Sequence, residues 1–590
     1  MRVSKKMRAL GLLAGLAIVA TACGDDGDGG GGTTDAKGIK GGTLIIKGAG
    51  DVDHLDTATA YYTVSYSLLR ATSRQLVSYA NTKDTVQRDT PVADLVEGTD
   101  KDWRSADGKT YKFKLKEGVK WGKPVNAPIV ANDFLTGLKR LCDPNNPSGG
   151  LIYYTNTIVG MTEFCDGFAK VKAGDIAAAK AYVTGNQISG VKAVDERNIE
   201  ITLKAPAGDF LYMLAMPFAS PVPTDHVLKY IADSPDFRKN FVSSGPYNVE
   251  SYQAEKSIKL ARNDQWAEST DKLRKAWVDR IEVTQGSDEE PVQREIEIGT
   301  ADLAFDLGPP TARLPGLKSN PLTKDRLVQN PDGCLGYIVF NLKRKPFDDL
   351  RVRQAVAYAV NKAAVSQVLG GRDLQAPTYN ILTEPLVGYK PLELYKTPGD
   401  TGDIAKAKQL LTDAGHPNGI NVTFLYRNRG KAPQIAQTHQ AALKRAGITV
   451  VLKQVPPADF YTKHLSKLNS GTWDFAQPGW CPDWAGNAAR TFFSPLLDGR
   501  GLTDGTTNYG QFHDAKFEAD MDAAYAEPDL AKATGMFEAL DKYAMDQAVW
   551  VPMTQGKVTN FYSKRLQNWI YFPFSHQADF TNVWIDDTKK

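Results

Sequence analysis

A short segment rich in aromatic residues, Gly479-Trp480-Cys481-Pro482-Asp483-Trp484, has the composition of a site that recognises a positively charged group. A carboxylate enclosed by Trp480 and Trp484 would be partly desolvated, and desolvation strengthens its pairing with a ligand cation. A plainer interpretation is that Asp483 caps a turn after Pro482 and that both tryptophans belong to the core. The local residues alone favour neither interpretation.

Two arginines, Arg427 and Arg490, are candidates for binding a ligand carboxylate, because a guanidinium group matches a carboxylate with two parallel hydrogen bonds. Arginines of this kind are more often solvated surface residues. Several aromatic residues could line a roomy pocket, although we expect most of them in the core; they are Tyr61, Tyr62, Trp121, Tyr153, Tyr154, Trp480 and Trp484.

Catalytic and metal-binding motifs are absent from the sequence. It contains neither GxSxG nor HExxH, its seven histidines show no ligand spacing, and no CxxC pair occurs. We therefore predict a protein that is not an enzyme and that has no metal and no cofactor. A secreted hydrolase with a catalytic triad dispersed along the chain remains the alternative from a different functional class.

The length of 590 residues allows roughly four structural units, and 42% hydrophobic with 24% charged residues is ordinary for a globular protein. The formal net charge is +3, but residues 1–22 carry four cations and no acid. The remainder holds 67 basic (71 minus 4) and 68 acidic residues, a net charge of about −1. A nearly neutral body disfavours nucleic acid as a partner.

The N-terminus predicts export. Cations between Arg2 and Arg8 precede an uncharged stretch that is too short to span a membrane, as in a secretory signal peptide at residues 1–22. The sequence Ala20-Thr21-Ala22-Cys23-Gly24 resembles the lipobox of bacterial lipoproteins, with Ala20 where leucine is usual. This resemblance implies lipidation of Cys23 and anchoring on the extracytoplasmic face of the cell membrane. The Gly-rich and Asp-rich composition that follows predicts a flexible tether over residues 23–40.

The other four cysteines suggest two disulfides in an exported protein, with three possible connectivities. We favour Cys142 with Cys165, because this pair is local in sequence, which leaves Cys334 with Cys481.

Strands and helices interleave along the body, as in an α/β protein. Alternating apolar residues predict strands at residues 43–46, 111–115, 199–203, 258–260, 422–426 and 448–452. Apolar residues at steps of three and four predict helices from a cap at Asp349 through Ala363, from Ile404 to Ala414 before Gly415, and from Ile435 to Ala446 before Gly447.

A series of motifs follows in a characteristic order. They are residues 107–121 (DGKTYKFKLKEGVKW) with 132–134 (NDF), 188–191 (ISGV), 244–247 (SGPY), and 340–342 (FNL) with 346–356 (PFDDLRVRQAV). In order and spacing they resemble the family 5 extracellular solute-binding proteins of bacterial ABC importers, typified by oligopeptide- and dipeptide-binding proteins.

The resemblance implies a periplasmic-binding-protein-like α/β fold, with two lobes joined by a hinge and a third domain inserted in the first lobe. Lobe I would comprise residues 41–87, 219–325 and 556–590, the inserted domain residues 88–218, and lobe II residues 326–555. Closure of the lobes would follow from a ligand that contacts both of them.

The resemblance also implies roles for single residues. Asp483 takes the place of the aspartate that meets a peptide α-ammonium, and Cys481 that of the cysteine bonded to the start of lobe II. The segment with Asp53, His54 and Tyr61 resembles a loop along the ligand cleft, where backbone groups could pair with an extended peptide.

We therefore predict a monomeric, lipid-anchored receptor that captures a peptide-like solute and delivers it to ABC permease subunits with separate ATPases. Members of the family also bind sugars, metal chelates or haem, so that a non-peptide solute is the alternative within the same fold.

Overall fold

The structure is a computed structural model that describes residues 38–145, 148–456, 459–468, 470–500 and 502–589. The predicted signal peptide, the lipidation site Cys23 and residues 23–37 of the predicted tether lie outside the described residues. Within those ranges no helix combines the length and the apolar character needed to span a membrane.

Twenty-one strands are described. They are β1 Thr43–Gly48, β2 Val77–Tyr79, β3 Pro91–Ala93, β4 Thr110–Lys114, β5 Val191–Ala193, β6 Asn198–Thr202, β7 Tyr247–Gln253, β8 Ser257–Arg262, β9 Arg280–Thr284, β10 Leu303–Phe305, β11 Leu327–Phe340, β12 Gln375–Pro377, β13 Ile420–Arg427, β14 Ile448–Val455, β15 Phe475–Ala476, β16 Gly479–Trp480, β17 Trp550–Phe561, β18 Leu566–Gln567, β19 Tyr571–Phe572, β20 Gln577–Ala578 and β21 Trp584–Ile585.

The α-helices of the described ranges pack around these strands. They are α1 Thr63–Thr72, α2 Thr85–Arg88, α3 Asp100–Trp103, α4 Ala131–Arg140, α5 Leu151–Thr157, α6 Met161–Phe168, α7 Ile176–Gly185, α8 Phe210–Leu214, α9 Thr224–Val227, α10 Pro235–Lys239, α11 Glu289–Ile298, α12 Leu314–Ser319, α13 Leu350–Ala359, α14 Lys362–Val368, α15 Ile404–Asp413, α16 Ala432–Lys444, α17 Arg490–Leu497, α18 Ala515–Ala526 and α19 Leu530–Asp546.

Three sheets carry most of the architecture. A five-stranded sheet has the order β10-β1-β9-β8-β7, with β1 parallel to both of its neighbours. A seven-stranded sheet has the order β12-β17-β11-β15-β13-β14, with β16 also paired to β11, and an antiparallel sheet has the order β4-β6-β5. One large apolar core spans the last two sheets, and a second core lies against the first.

The two longest strands connect the larger sheets. β11 and β17 pair antiparallel from Leu327 opposite Phe561 to Val339 opposite Trp550, with an interruption between Pro331 and Leu335. Just beyond β17, Tyr562 forms a bridge with Leu303 at the end of the five-stranded sheet. The candidate site lies at this junction. There, β11 and β17 of the seven-stranded sheet extend to the edge of the five-stranded sheet.

The predicted elements are present, with one error. All six predicted strands occur, and β13 and β14 pair in parallel around α16, as expected for an α/β unit. The helix predicted through Ala363 was wrong in its extent. It ends at Ala359, because Val360 is extended and the Asn361 side chain caps a separate helix by accepting the Ala364 N–H.

Both predicted disulfides are confirmed. Cys142 is bonded to Cys165 and Cys334 to Cys481. The second bond closes 147 residues of sequence and ties the interrupted part of β11 to the residue that follows β16.

Candidate functional site

A cavity of about 600 Å³ lies at the junction of the sheets. This volume is in the range of small-molecule sites in proteins. Its walls come from four distant parts of the chain, namely residues 61–66, 331–336, 479–486 and 571–576, together with single residues such as Arg427. Any ligand held there would contact segments that are far apart in sequence.

The segment 479–484 reaches the cavity because β16 and the disulfide hold it against β11. Leu335 lies opposite Trp480 in this pairing, and the next residues outward are the bonded pair Cys334 and Cys481. Gly333 has φ +74°, and a side chain there would bring its Cβ within 2.8 Å of Pro482 Cγ. A glycine is thus required for the two backbones to approach this closely.

Asp483 faces the cavity, and the described residues that bind its carboxylate do so through hydroxyl groups. Its Oδ1 accepts a hydrogen bond of 2.5 Å from the Tyr61 hydroxyl, and its Oδ2 accepts one from the Tyr153 hydroxyl. No arginine, lysine or histidine of the described residues forms an ion pair with it. Burial raises the pKa of Asp483 to about 6, although both hydroxyl hydrogen bonds act in the opposite direction.

Two tryptophans lie in the same cavity wall as this carboxylate. The Trp484 indole is buried, its N–H donates to the Asn487 carbonyl, and its ring packs edge-on against Tyr153 at 4.9 Å between centroids. Trp480 lines the cavity and donates to the Thr491 carbonyl. Both tryptophans therefore line the cavity together with Asp483, and Trp484 packs against Tyr153, which binds the Asp483 carboxylate.

Arg427, at the end of β13, lines the same cavity. Its guanidinium group lies 5.6 Å from the ring centre of Phe460 and 5.4 Å from that of Tyr461. Among the described residues no carboxylate forms an ion pair with it. The group is held by the two rings and is available to an anionic part of a ligand.

Arg490 is already engaged. Its Nε and Nη2 atoms donate to the Asp209 carboxylate at 2.5 and 2.9 Å, and the guanidinium lies 3.9 Å from the centre of the Tyr525 ring. It lines a neighbouring cavity instead of the one that contains Asp483. The structure thus separates the two arginines that the sequence presented as equivalent.

Asp53 and His54 do not line the cavity but support residues that do. Asp53 accepts the N–H groups of Tyr61 and Tyr62 at 2.7 and 3.2 Å, together with the Ser65 hydroxyl. His54 Nδ1 lies 2.5 Å from Asp233, whose hydrogen bond raises the pKa of this histidine. Both side chains brace the loop that presents Tyr61 to Asp483.

The cavity-lining residues that reasoning from sequence missed include Tyr66, Asp332, Tyr571 and His576. Burial raises the pKa of Asp332 to about 6 and lowers that of His576 to about 4. One signal pointed to Asp332, since it precedes Cys334 by two residues just as Asp483 follows Cys481 by two residues. The other three residues carried no local signal.

Comparison with known proteins agrees with this architecture. The family model for bacterial extracellular solute-binding proteins, family 5, matches residues 90–503. Heme-binding protein A of Haemophilus influenzae is 26% identical over 491 residues, covering 82% of each chain. The periplasmic oligopeptide-binding protein OppA of Salmonella typhimurium is 27% identical over 428 residues, covering 71% of this chain and 72% of the relative.

Solved structures show the same fold. The clavulanic acid biosynthesis oligopeptide binding protein 2 superposes with a TM-score of 0.83 at 25% identity, over 93% of this chain and 96% of that one. The murein tripeptide binding protein MppA of Escherichia coli superposes with a TM-score of 0.70 at 19% identity, over 93% and 99%. The predicted periplasmic-binding-protein-like α/β fold is thereby confirmed, and the chain belongs to family 5 of the bacterial extracellular solute-binding proteins, the solute-binding components of ABC importers.

Proposed function

We propose that the protein captures a peptide or peptide-like solute with a free α-ammonium group outside the membrane and delivers it to permease subunits driven by separate ATPases. The observation that carries this proposal is Asp483, a carboxylate that faces the cavity and whose side-chain partners among the described residues are two tyrosine hydroxyls. Relatives named as oligopeptide- and tripeptide-binding proteins support the same class of ligand.

The proposal assigns the α-ammonium to Asp483 and a ligand carboxylate to Arg427. An ammonium group would provide the cationic partner that Asp483 lacks among the described residues, and this pairing is strong in a desolvated site. Trp480, Trp484 and Tyr61 would contact the apolar parts of the ligand. The disulfide of Cys481 would hold the segment in place, while Arg490, Asp53 and His54 would act through the residues that they position.

The proposal also includes the domain division and the anchoring predicted from sequence. Lobe I would supply Tyr61, the inserted domain Tyr153, and lobe II Asp483, so that the two hydroxyl contacts of Asp483 would join all three domains. The protein would act without catalysis, as a monomer held at the membrane by lipidated Cys23.

Native mass spectrometry of the purified protein with a mixed peptide pool tests this function. Free peptides should give adducts at one-to-one stoichiometry, and acetylation of their N-termini should remove these adducts. Binding of another small molecule in place of any peptide, as expected for the non-peptide alternative, would reject the peptide assignment. Hydrolysis of the pool would favour the secreted hydrolase.

The pKa of Asp483 predicts how affinity depends on pH. An ammonium group binds the carboxylate form, which is fully populated well above pH 6, so the affinity should be constant near pH 8 and about tenfold lower at pH 5. Titration calorimetry between pH 4.5 and 8, with a peptide that lacks ionisable side chains, measures this. The tyrosines that bind Asp483 have raised pKa values and stay neutral over this range. Asp332 lines the same cavity and its pKa is also raised to about 6, so Asp332→Asn is measured in parallel and should keep the profile. A flat profile would contradict the assignment.

Arg427→Gln should lower the affinity for peptides with a free C-terminal carboxylate by about ten- to a hundredfold, because a desolvated guanidinium contact is lost. The same peptides with an amidated C-terminus should bind the variant and the wild-type protein within about twofold of each other. Arg429→Gln is the matched control, since Arg429 is exposed and lies two residues further along the chain. Equal losses for amidated and free peptides would contradict the role of Arg427.

A further inference from the structure

The cavity contains a second carboxylate without a cationic partner, that of Asp332. It lies where the pairing of β11 with β17 is interrupted, between Pro331 and Leu335. Its Oδ1 accepts the N–H of Cys334 at 2.8 Å, and no described arginine, lysine or histidine forms an ion pair with it. A carboxylate that is partly removed from water and has no cation beside it is costly to keep charged. A cationic group of a bound ligand would reduce that cost.

Asp332 and Asp483 occupy corresponding positions on the two chain segments that the disulfide joins, each two residues from its own cysteine. The pairing of Gly336 with Gly479 and of Leu335 with Trp480 continues through the bonded cysteines and the contact between Gly333 and Pro482. The next residue on each strand is one of the two aspartates, and both line the cavity. The disulfide therefore holds two separate acidic positions on one wall.

The charges that line the cavity do not balance. Asp89 is neutralised by Arg88, with contacts of 2.7 and 2.9 Å, and His576 is uncharged at neutral pH because burial lowers its pKa to about 4. Two carboxylates then remain for the single guanidinium of Arg427. A peptide with only its two terminal charges would match Asp483 and Arg427 and would leave Asp332 unpaired.

An independent observation is that one buried hydroxyl group of the cavity wall has no hydrogen-bond partner among the described residues. The Tyr66 hydroxyl belongs to a side chain that is only 5% exposed, lines the cavity and has no hydrogen-bond partner among the described residues. Buried hydroxyl groups are rarely left without a partner in folded proteins. A polar ligand in the cavity would supply one.

We infer that Asp332 binds a cationic side chain of the ligand, so that the protein selects peptides containing a guanidinium or ammonium side chain. This inference rests on the proposed function, which assigns the α-ammonium to Asp483. It adds a substrate class, namely peptides with one positive charge beyond that of the N-terminus.

Paired ligands test the inference. Alanine-based tetrapeptides with free termini would carry either arginine or its uncharged counterpart citrulline at each of the four positions in turn, and calorimetry would give their dissociation constants. We expect the wild-type protein to bind the arginine peptide at least tenfold more tightly at one position or more. Asp332→Asn should remove this preference and leave affinity for the citrulline peptides within about twofold of wild type.

Glu384→Gln is the matched control, because it removes the same charge from an exposed residue beside Pro385 of the cavity wall. It should keep the preference for arginine. The comparison of arginine with citrulline in the wild-type protein needs no variant, so that misfolding of Asp332→Asn, which thermal unfolding would reveal, does not weaken the test.

Agmatine, a small cation with no peptide bond, separates the two proposals. Tetrapeptide binding without preference for arginine at any position would overturn the inference and leave the proposed function standing. Binding of agmatine that is lost in Asp332→Asn, with no binding of any tetrapeptide, would support the cationic subsite and reject the peptide function. Binding of neither would overturn both.

Discussion

Asp483→Asn should lower the affinity for peptides with a free N-terminus by about thirtyfold or more. The substitution keeps the size of the side chain and its acceptor oxygen but removes the charge, and truncating one partner of a buried charge pair costs about 2–5 kcal/mol. Calorimetry with the same peptides measures the loss. N-acetylated peptides, which lack the ammonium, should bind the variant and the wild-type protein with similarly low affinity.

The same substitution should make the unliganded protein more stable at pH 7. Burial raises the folded-state pKa of Asp483 to about 6, above the value near 4 of an unfolded chain, so that the charged form is disfavoured in the folded state. This destabilisation is present above pH 6 and disappears as the pH falls towards 4. The Asn variant should therefore gain about 1–3 kcal/mol in free energy of unfolding at pH 7. Wild-type ligand affinity together with unchanged stability would reject our assignment of Asp483.

Replacement of Cys334 and Cys481 by serine should have the other large effect. The bond closes 147 residues, and loop-closure entropy predicts a stabilisation of about 5 kcal/mol. Because the bond also holds the segment of Asp483 against β11, we expect the affinity for peptides to fall at least tenfold. Chemical denaturation and calorimetry measure the two effects separately.

The second disulfide is the matched control. Cys142 and Cys165 are 23 residues apart and do not line the cavity, so their replacement by serine should cost about 3 kcal/mol and leave the affinity within about twofold of wild type. Equal losses of affinity in the two double variants would show that the Cys334–Cys481 bond has no specific role in positioning Asp483.

Much of the fold follows from patterns that a few neighbouring residues carry. The strand at residues 422–426, the helix before Gly447 and the strand at residues 448–452 were predicted because apolar periodicity and glycine caps are local properties. The helix that was predicted to run through Ala363 shows the limit of such patterns. Its apolar period continues across Asn361, but the side chain of this residue starts a new helix.

For the candidate site, local sequence was enough to identify the groups with the chemistry of recognition: a carboxylate between two tryptophans, a cysteine beside it and two candidate arginines. Tertiary structure alone decided which of these groups are available. Arg490 and Arg427 have the same side chain, yet Asp209, 281 residues away, engages the first, and no described carboxylate pairs with the second. Tyr61 and Tyr153 bind Asp483 although they are 422 and 330 residues away in sequence. Asp332 lines the cavity because the pairing of β11 with β17 is interrupted at this residue. Partners at such distances depend on how the sheets pack and on where each chain segment crosses between them, and no local pattern of residues encodes that.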